Sequence, residues 1–138
     1  MIKTTFCQLR KKHVALTPEE SVRQQFISWL IDKKAFPLGL MAAEYSINYN
    51  NKKYRCDIVV FDKTLTPQLI VECKAPSIKL DSTVLEQVIR YNMVLNVKYL
   101  IITNGVSTFV CKLGTGCKGY EFVTEIPSYN QLTNNIQQ

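Results

Sequence analysis

Two neighbouring apolar segments carry charged residues that a protein core normally excludes. Residues 55–61 read Arg-Cys-Asp-Ile-Val-Val-Phe, and residues 69–76 read Leu-Ile-Val-Glu-Cys-Lys-Ala-Pro. Both segments are typical of β-strands, and the short polar connection between them predicts an antiparallel hairpin. Burying charge is costly unless the charge is paired or serves a site. We therefore expect Asp57, Glu72 and Lys74 to lie together at the edge of a core.

These three residues have the composition of a site that hydrolyses phosphodiesters. Side chains alternate along a strand, so Glu72 and Lys74 point to the same face, and the hairpin brings Asp57 beside Glu72. Two carboxylates on adjacent strands suit Mg²⁺, or Mn²⁺ in its place, and a bound metal of this kind activates water. Lys74 would then orient that water or neutralise charge in the transition state. The alternative is an ordinary Glu72–Lys74 ion pair with Asp57 on a solvated face.

A second element of the predicted site lies on a helix over residues 82–95, with Thr83 and Glu86 placed as a capping box. Gln87 and Tyr91 are four residues apart and share one face, at the margin of the apolar stripe. Both can therefore reach a site at the sheet edge, where Gln87 would bond to a phosphate, a base or a metal-bound water and Tyr91 would bond to the substrate or stack on it. The alternative is a partly buried tyrosine beside a surface glutamine.

The first helix is predicted to begin after Thr17, its N-cap, and to extend to about Lys34. Glu20 completes a capping box with Thr17. Glu19 or Glu20 could approach the metal, but capping and the helix dipole explain acids in a first turn equally well. Arg23 is expected to pair with Glu19 one turn earlier.

The order of the predicted elements indicates an α/β fold. Further strands are predicted at 41–49, 98–103, 106–112 and 119–123, so a helix, three strands, a second helix and more strands follow one another. This order predicts a central mixed sheet with a helix on each face, in which the strand after the second helix runs parallel to the strand of Glu72. We expect one domain over residues 1–138. Its parts are a basic arm (1–16), a core (17–123) and a polar, frayed tail (124–138).

The composition favours a polyanionic partner in a reducing compartment. Seventeen Lys and Arg against eleven Asp and Glu give a net charge of +6, and the lysines and arginines at 10–12, 52, 53 and 55 are candidate phosphate contacts. The five cysteines are an odd number without a CxxC pair, which favours reduced, packed thiols. No apolar run approaches the ~20 residues that span a bilayer. We therefore expect a cytoplasmic protein without membrane contact.

Five segments together resemble one family of nucleases. They are Thr-Pro-Glu-Glu-Ser-Val-Arg-Gln (17–24), Arg-Cys-Asp-Ile-Val-Val-Phe (55–61), Ile-Val-Glu-Cys-Lys-Ala-Pro (70–76), Gln-Val-Ile-Arg-Tyr (87–91) and Thr-Asn-Gly (103–105). In this order they resemble the N-terminal nuclease domain of type I restriction enzyme R (motor) subunits, a branch of the PD-(D/E)xK, or restriction-endonuclease-like, superfamily. The resemblance covers roughly residues 17–112.

The resemblance implies a restriction-endonuclease-like core and Mg²⁺-dependent cleavage of DNA. It makes Asp57 and Glu72 metal ligands, Lys74 the catalytic lysine, and Gln87 and Tyr91 the Gln-x-x-x-Tyr motif that binds substrate. Cys56 stands where a proline often precedes the aspartate. The chain lacks the helicase motor, so we expect a stand-alone relative or a fragment, acting alone, as a homodimer or within a larger restriction or repair complex. The alternative is a non-catalytic module of the same fold that binds nucleic acid or protein.

Overall fold

The structure is a computed structural model that describes residues 2–114 and 119–134. Within these residues the chain forms two short strands, a long helix, three strands, a second helix, three more strands and a short third helix. The elements are β1 (Thr4–Cys7), β2 (Lys12–Ala15), α1 (Pro18–Lys34), a 3₁₀ turn (Leu38–Leu40), β3 (Met41–Tyr49), β4 (Lys52–Phe61), β5 (Pro67–Cys73), α2 (Ser82–Met93), β6 (Tyr99–Thr103), β7 (Thr108–Leu113), β8 (Tyr120–Val123) and α3 (Tyr129–Thr133).

The central sheet is mixed and follows the chain in the order β3-β4-β5-β6-β7-β8. Strands β4 and β5 form the predicted antiparallel hairpin. Strand β6, which follows α2, runs parallel to β5, as a helical crossover requires. The remaining neighbours pair antiparallel. The predicted fold class is therefore confirmed.

The sheet is covered on both faces, which explains why its central strands are nearly all apolar. Alternate residues of β4, β5 and β6 face opposite layers. One layer joins Ile58, Val71 and Ile101 to Ile27 and Leu30 of α1. The other layer is formed mainly by the following buried side chains: Val59, Ile70, Leu100 and Ile102 of the sheet with Leu85 and Val88 of α2. Each helix therefore holds one face of the strands that carry the candidate site.

Both long helices begin with a side-chain cap, but the caps differ in part from the prediction. Thr17 caps α1 and accepts a hydrogen bond from the N–H of Glu20, as expected. The Glu20 carboxylate instead bonds to neighbouring cationic and amide groups, so the predicted capping box is wrong in its second half. Asp81 caps α2 through the N–H of Val84, and the predicted role of Thr83 is therefore wrong.

The two ends of the described chain are more ordered than the sequence suggested. The basic arm contains an antiparallel hairpin of β1 and β2, with Thr5 opposite Val14. In the tail, Ser128 caps α3, and Tyr129 and Leu132 are buried against the α1 layer. The expectation of a frayed tail is wrong for this helix, because two of its side chains join the core.

Four of the five cysteines, at positions 7, 56, 73 and 111, are buried and free, whereas Cys117 lies outside the described residues. Burial raises the pKa of the Cys56 thiol to about 12, which keeps it protonated and unreactive near neutral pH. In the described part of the chain, no helix combines the length and apolar character that a membrane span requires.

Candidate active site

The predicted site residues converge on one cleft of about 350 Å³ between the sheet edge and α2. The pairing of strands β4 and β5 ends with Ile58 opposite Val71. Asp57 and Glu72 are the next residues beyond this pair on their strands, and both line the cleft. The cleft is lined by Arg55, Asp57, Glu72, Lys74, Val84, Gln87, Val88, Tyr91 and Asn92. All five residues singled out in the sequence as catalytic or substrate-binding are in this lining.

Asp57 is buried and held through both carboxylate oxygens. Its Oδ1 accepts a hydrogen bond from Nη2 of Arg23 at 2.8 Å, and its Oδ2 accepts from the backbone N–H of Cys73 at 2.7 Å. Only 7% of the residue is exposed. The alternative that places Asp57 on a solvated face is therefore wrong. Charge-assisted bonds of this kind fix the direction in which a carboxylate presents its remaining lone pairs.

Glu72 of β5 and Lys74, the first residue after that strand, both line the cleft, as strand alternation predicts. The Lys74 Nζ lies 3.7 Å from Oε2 of Glu72, so an ion pair is present. Burial, and then the negative charge of Asp57, raise the pKa of Glu72 to about 7, although Lys74 opposes the shift. The site therefore contains a carboxyl group whose ionisation is opposed near neutral pH, which is a common property of functional sites.

The second helix contributes Gln87 and Tyr91 to the same cleft. The Tyr91 hydroxyl accepts a hydrogen bond from the backbone N–H of Arg55 at 3.2 Å, and its ring lies 5.1 Å from the ring of Tyr54. Gln87 is exposed at the cleft wall. The features of the alternative interpretation, a surface glutamine and a tyrosine with a bonded hydroxyl, are present, but both residues also face the charged site.

Arg23 is the residue of this site that the sequence did not identify as functional. It was expected to pair with Glu19, whose Oε2 lies 3.8 Å away, but its shorter contacts are to Glu20, Glu44 and Asp57. Burial alone lowers the pKa of Arg23, yet Asp57 and the neighbouring acids raise it above its ordinary value. A signal was available: Glu20, Arg23, Ile27 and Leu30 recur at helical spacing, and all are buried.

The two acids at the start of α1 have different surroundings. Glu20 is buried and accepts hydrogen bonds from Arg10, Arg23 and Gln24. Its role is therefore to anchor Arg23. The Glu19 side chain is about half exposed, and burial, then the charge of Asp57, raise its pKa. Neither residue lines the cleft that contains Glu72.

Asp57 and Glu72 form a donor set that fits Mg²⁺. Among residues 2–114 and 119–134, no group of three or more His, Cys, Asp and Glu side chains is arranged around one point. Mg²⁺ does not require such a cage, since it commonly binds through one or two carboxylates and keeps several waters. A divalent cation would also relieve the repulsion that opposes ionisation of Glu72. The chemistry of these two side chains is thus compatible with the metal.

Comparisons with known proteins identify a matching family and a similar fold. The family model described as type I restriction enzyme R protein N terminus (HSDR_N) matches residues 18–127. Among solved structures, a fragment of a protein assigned as the HsdR subunit of a type I restriction enzyme from Vibrio vulnificus YJ016 has a similar fold. Its TM-score is 0.59 at 13% sequence identity, over 88% of this chain and 25% of that one. The chain thus spans about a quarter of that structure. A comparison with curated proteins finds no match.

Proposed function

Because this chain belongs to the type I restriction enzyme R protein N-terminal family, we propose that it is a Mg²⁺-dependent DNA endonuclease of the PD-(D/E)xK type. The observation that supports the proposal most directly is the convergence of Asp57, Glu72 and Lys74 on one cleft with Gln87 and Tyr91. The net charge of +6 is favourable for a DNA substrate. The family connects the fold with restriction enzymes, and the cleft supplies groups suited to phosphodiester hydrolysis.

In the proposed mechanism, Asp57 and Glu72 would hold the metal. When bound, Mg²⁺ supplies an activated water and stabilises negative charge on the phosphate. Asp57 is already oriented by Arg23 and the Cys73 N–H, so little reorganisation is needed before it can bind. Glu72 contributes its carboxylate when it releases its proton near pH 7.

Lys74 would act on the attacking water and on the charge that develops at the scissile phosphate. Its ammonium lies 3.7 Å from Oε2 of Glu72, so the positive charge is close to one of the two proposed metal ligands. An oriented cation at this point stabilises the transition state more than the ground state. Gln87 and Tyr91 would position the DNA backbone along the α2 wall of the cleft.

The principal alternative is a module of the same fold that binds nucleic acid or protein without turnover. One observation favours it: the Arg23 guanidinium already neutralises Asp57, which reduces the tendency of that carboxylate to take a metal. Under either proposal the chain would work in the cytoplasm, as a homodimer or within a larger restriction or repair complex.

A cleavage assay tests the endonuclease proposal. The wild-type chain should convert supercoiled plasmid to open-circular and linear forms in Mg²⁺ or Mn²⁺, and EDTA should stop the conversion. Asp57→Asn and Glu72→Gln should each lose the activity, whereas Glu86→Gln, on the exposed surface of α2, should retain it. If no DNA form is cut in either metal, or if all three variants cut equally, the proposal fails.

A further inference from the structure

Lys52, the first residue of β4, is held over two aromatic rings. Its Nζ lies 5.0 Å from the centroid of the Tyr54 ring and 5.9 Å from that of Tyr91. The two rings are themselves 5.1 Å apart. Cation–π contacts at such distances are attractive and restrict the direction of an otherwise flexible side chain. Lys52 is nevertheless exposed, so its ammonium remains open to solvent and to a ligand.

This lysine lies at the mouth of the candidate active site. Tyr91 belongs to the cleft lining and accepts a hydrogen bond from the backbone of Arg55, another lining residue. The turn before Lys52 consists of Asn50 and Asn51, both with positive φ, as a tight two-residue hairpin requires. The hairpin of β3 and β4 therefore presents Lys52 beside the cleft at a defined position.

The chemistry of this corner fits a backbone phosphate. Lys53 is exposed next to Lys52, and the Arg55 guanidinium is exposed and held by Glu44 at 2.9 Å. Fixing a free lysine side chain costs rotamer entropy. Because the rings of Tyr54 and Tyr91 have already restricted Lys52, less of that cost remains to be met on binding.

We propose that Lys52 binds a backbone phosphate of the DNA next to the cleft, and that Tyr54 is the positioning residue that orients it. Tyr54 is only 8% exposed, so it acts on the DNA through Lys52. The inference rests on the proposed function, because it assigns part of the substrate surface of the same site. It adds an element on the β3–β4 hairpin to the Asp57, Glu72 and Lys74 centre.

The first test measures DNA binding by the full chain carrying Lys74→Ala. The fluorescence anisotropy of a labelled duplex reports binding in Mg²⁺ at several salt concentrations. Adding Lys52→Ala should weaken binding about two- to fivefold. The slope of the logarithm of the binding constant against the logarithm of salt concentration should also become shallower by about 0.9, which corresponds to the loss of one phosphate contact. The control is Lys63→Ala. Lys63 is an exposed lysine just beyond the far end of β4. At ~3.3 Å per residue, the length of this strand separates it from Lys52 by about 30 Å.

The second test separates positioning from folding. Tyr54→Leu removes the ring and should weaken DNA binding when Lys52 is present. In the Lys52→Ala background the same change should have little further effect. Tyr54→Phe keeps the ring and should retain the affinity for DNA. Unfolding midpoints confirm that each variant is folded. Equal effects of Lys52→Ala and Lys63→Ala, or an undiminished effect of Tyr54→Leu without Lys52, would overturn the inference. Failure of the wild-type chain to bind or cut DNA would instead refute the proposed function, and this inference with it.

Discussion

Arg23 and Asp57 form a buried ion pair, with Nη2 and Oδ1 separated by 2.8 Å and both side chains less than a tenth exposed. The pair joins α1 to the strand that carries the candidate metal ligand. A helix that otherwise serves as a packing layer therefore determines how the aspartate is presented. The site therefore depends on the guanidinium of Arg23, which is not part of the Asp, Glu and Lys pattern that identifies the site in the sequence.

The first prediction concerns the stability that this pair contributes. Arg23→Met should lower the free energy of unfolding by about 3–5 kcal/mol, because it leaves the buried carboxylate of Asp57 without its cation and leaves Glu20 with Arg10 alone. Denaturant unfolding followed by circular dichroism measures the change. Lys33→Met, an exposed change on the same helix, should alter stability by less than about 0.5 kcal/mol. Equal stability of the two variants would show that the Arg23 network is not needed for folding.

The second prediction concerns the pH dependence of stability. The pKa of Glu72 is about 7 in the folded protein and near 4.5 in the unfolded chain, so the folded state binds more protons between these values. The stability associated with protonated Glu72 is complete below pH 4.5 and is lost as the pH rises through 7. Glu72→Gln should therefore be more stable than wild type at pH 8, by up to about 3 kcal/mol.

Denaturant unfolding at pH 5 and pH 8, without divalent metal, measures this difference. The gain from Glu72→Gln should be small at pH 5, where most of the wild-type side chain is protonated. Glu86→Gln, at an exposed position, should show no comparable gain at either pH. A gain in the free energy of unfolding from Glu72→Gln that is the same at pH 5 and pH 8 would contradict the raised pKa of Glu72.

Metal binding should depend on the same proton. Because Mg²⁺ needs an ionised Glu72, its apparent affinity should fall about tenfold between pH 8 and pH 6, across the pKa of about 7. The measurement is the rise of the unfolding midpoint with Mg²⁺ concentration at each pH. Asp57→Asn should remove the rise. An affinity that does not change between the two pH values would show that Glu72 is not a ligand.

The sheet was predictable because its strands carry strong local signals. The strand predicted at residues 41–49 is found at Met41–Tyr49. The apolar runs of β4, β5 and β6 indicated burial on both faces, which the two core layers confirm. The convergence of Asp57, Glu72 and Lys74 followed from alternation along β5 and the short β4–β5 connection.

The remaining features depend on contacts between residues far apart in sequence. Arg23 has an acid four residues earlier in the sequence, so a local ion pair was sufficient to explain its charge. Only the fold shows that Arg23 reaches Asp57, 34 positions away. The hairpin of β1 and β2 consists of four-residue strands, too short for a periodic pattern. Helix α3 is stable because Leu132 packs into the core, which its Asn- and Gln-rich surroundings do not indicate.

Lys74→Ala tests the central claim most directly, because it separates chemistry from metal binding in one variant. The lysine is not a proposed metal ligand, so the variant should remain folded and should still be stabilised by Mg²⁺, while the rate of DNA cleavage falls by at least about 10²-fold. Both quantities are measured on the same preparation beside wild type. A variant that binds Mg²⁺ and cleaves DNA at the wild-type rate would contradict the assignment of this cleft as a nuclease active site.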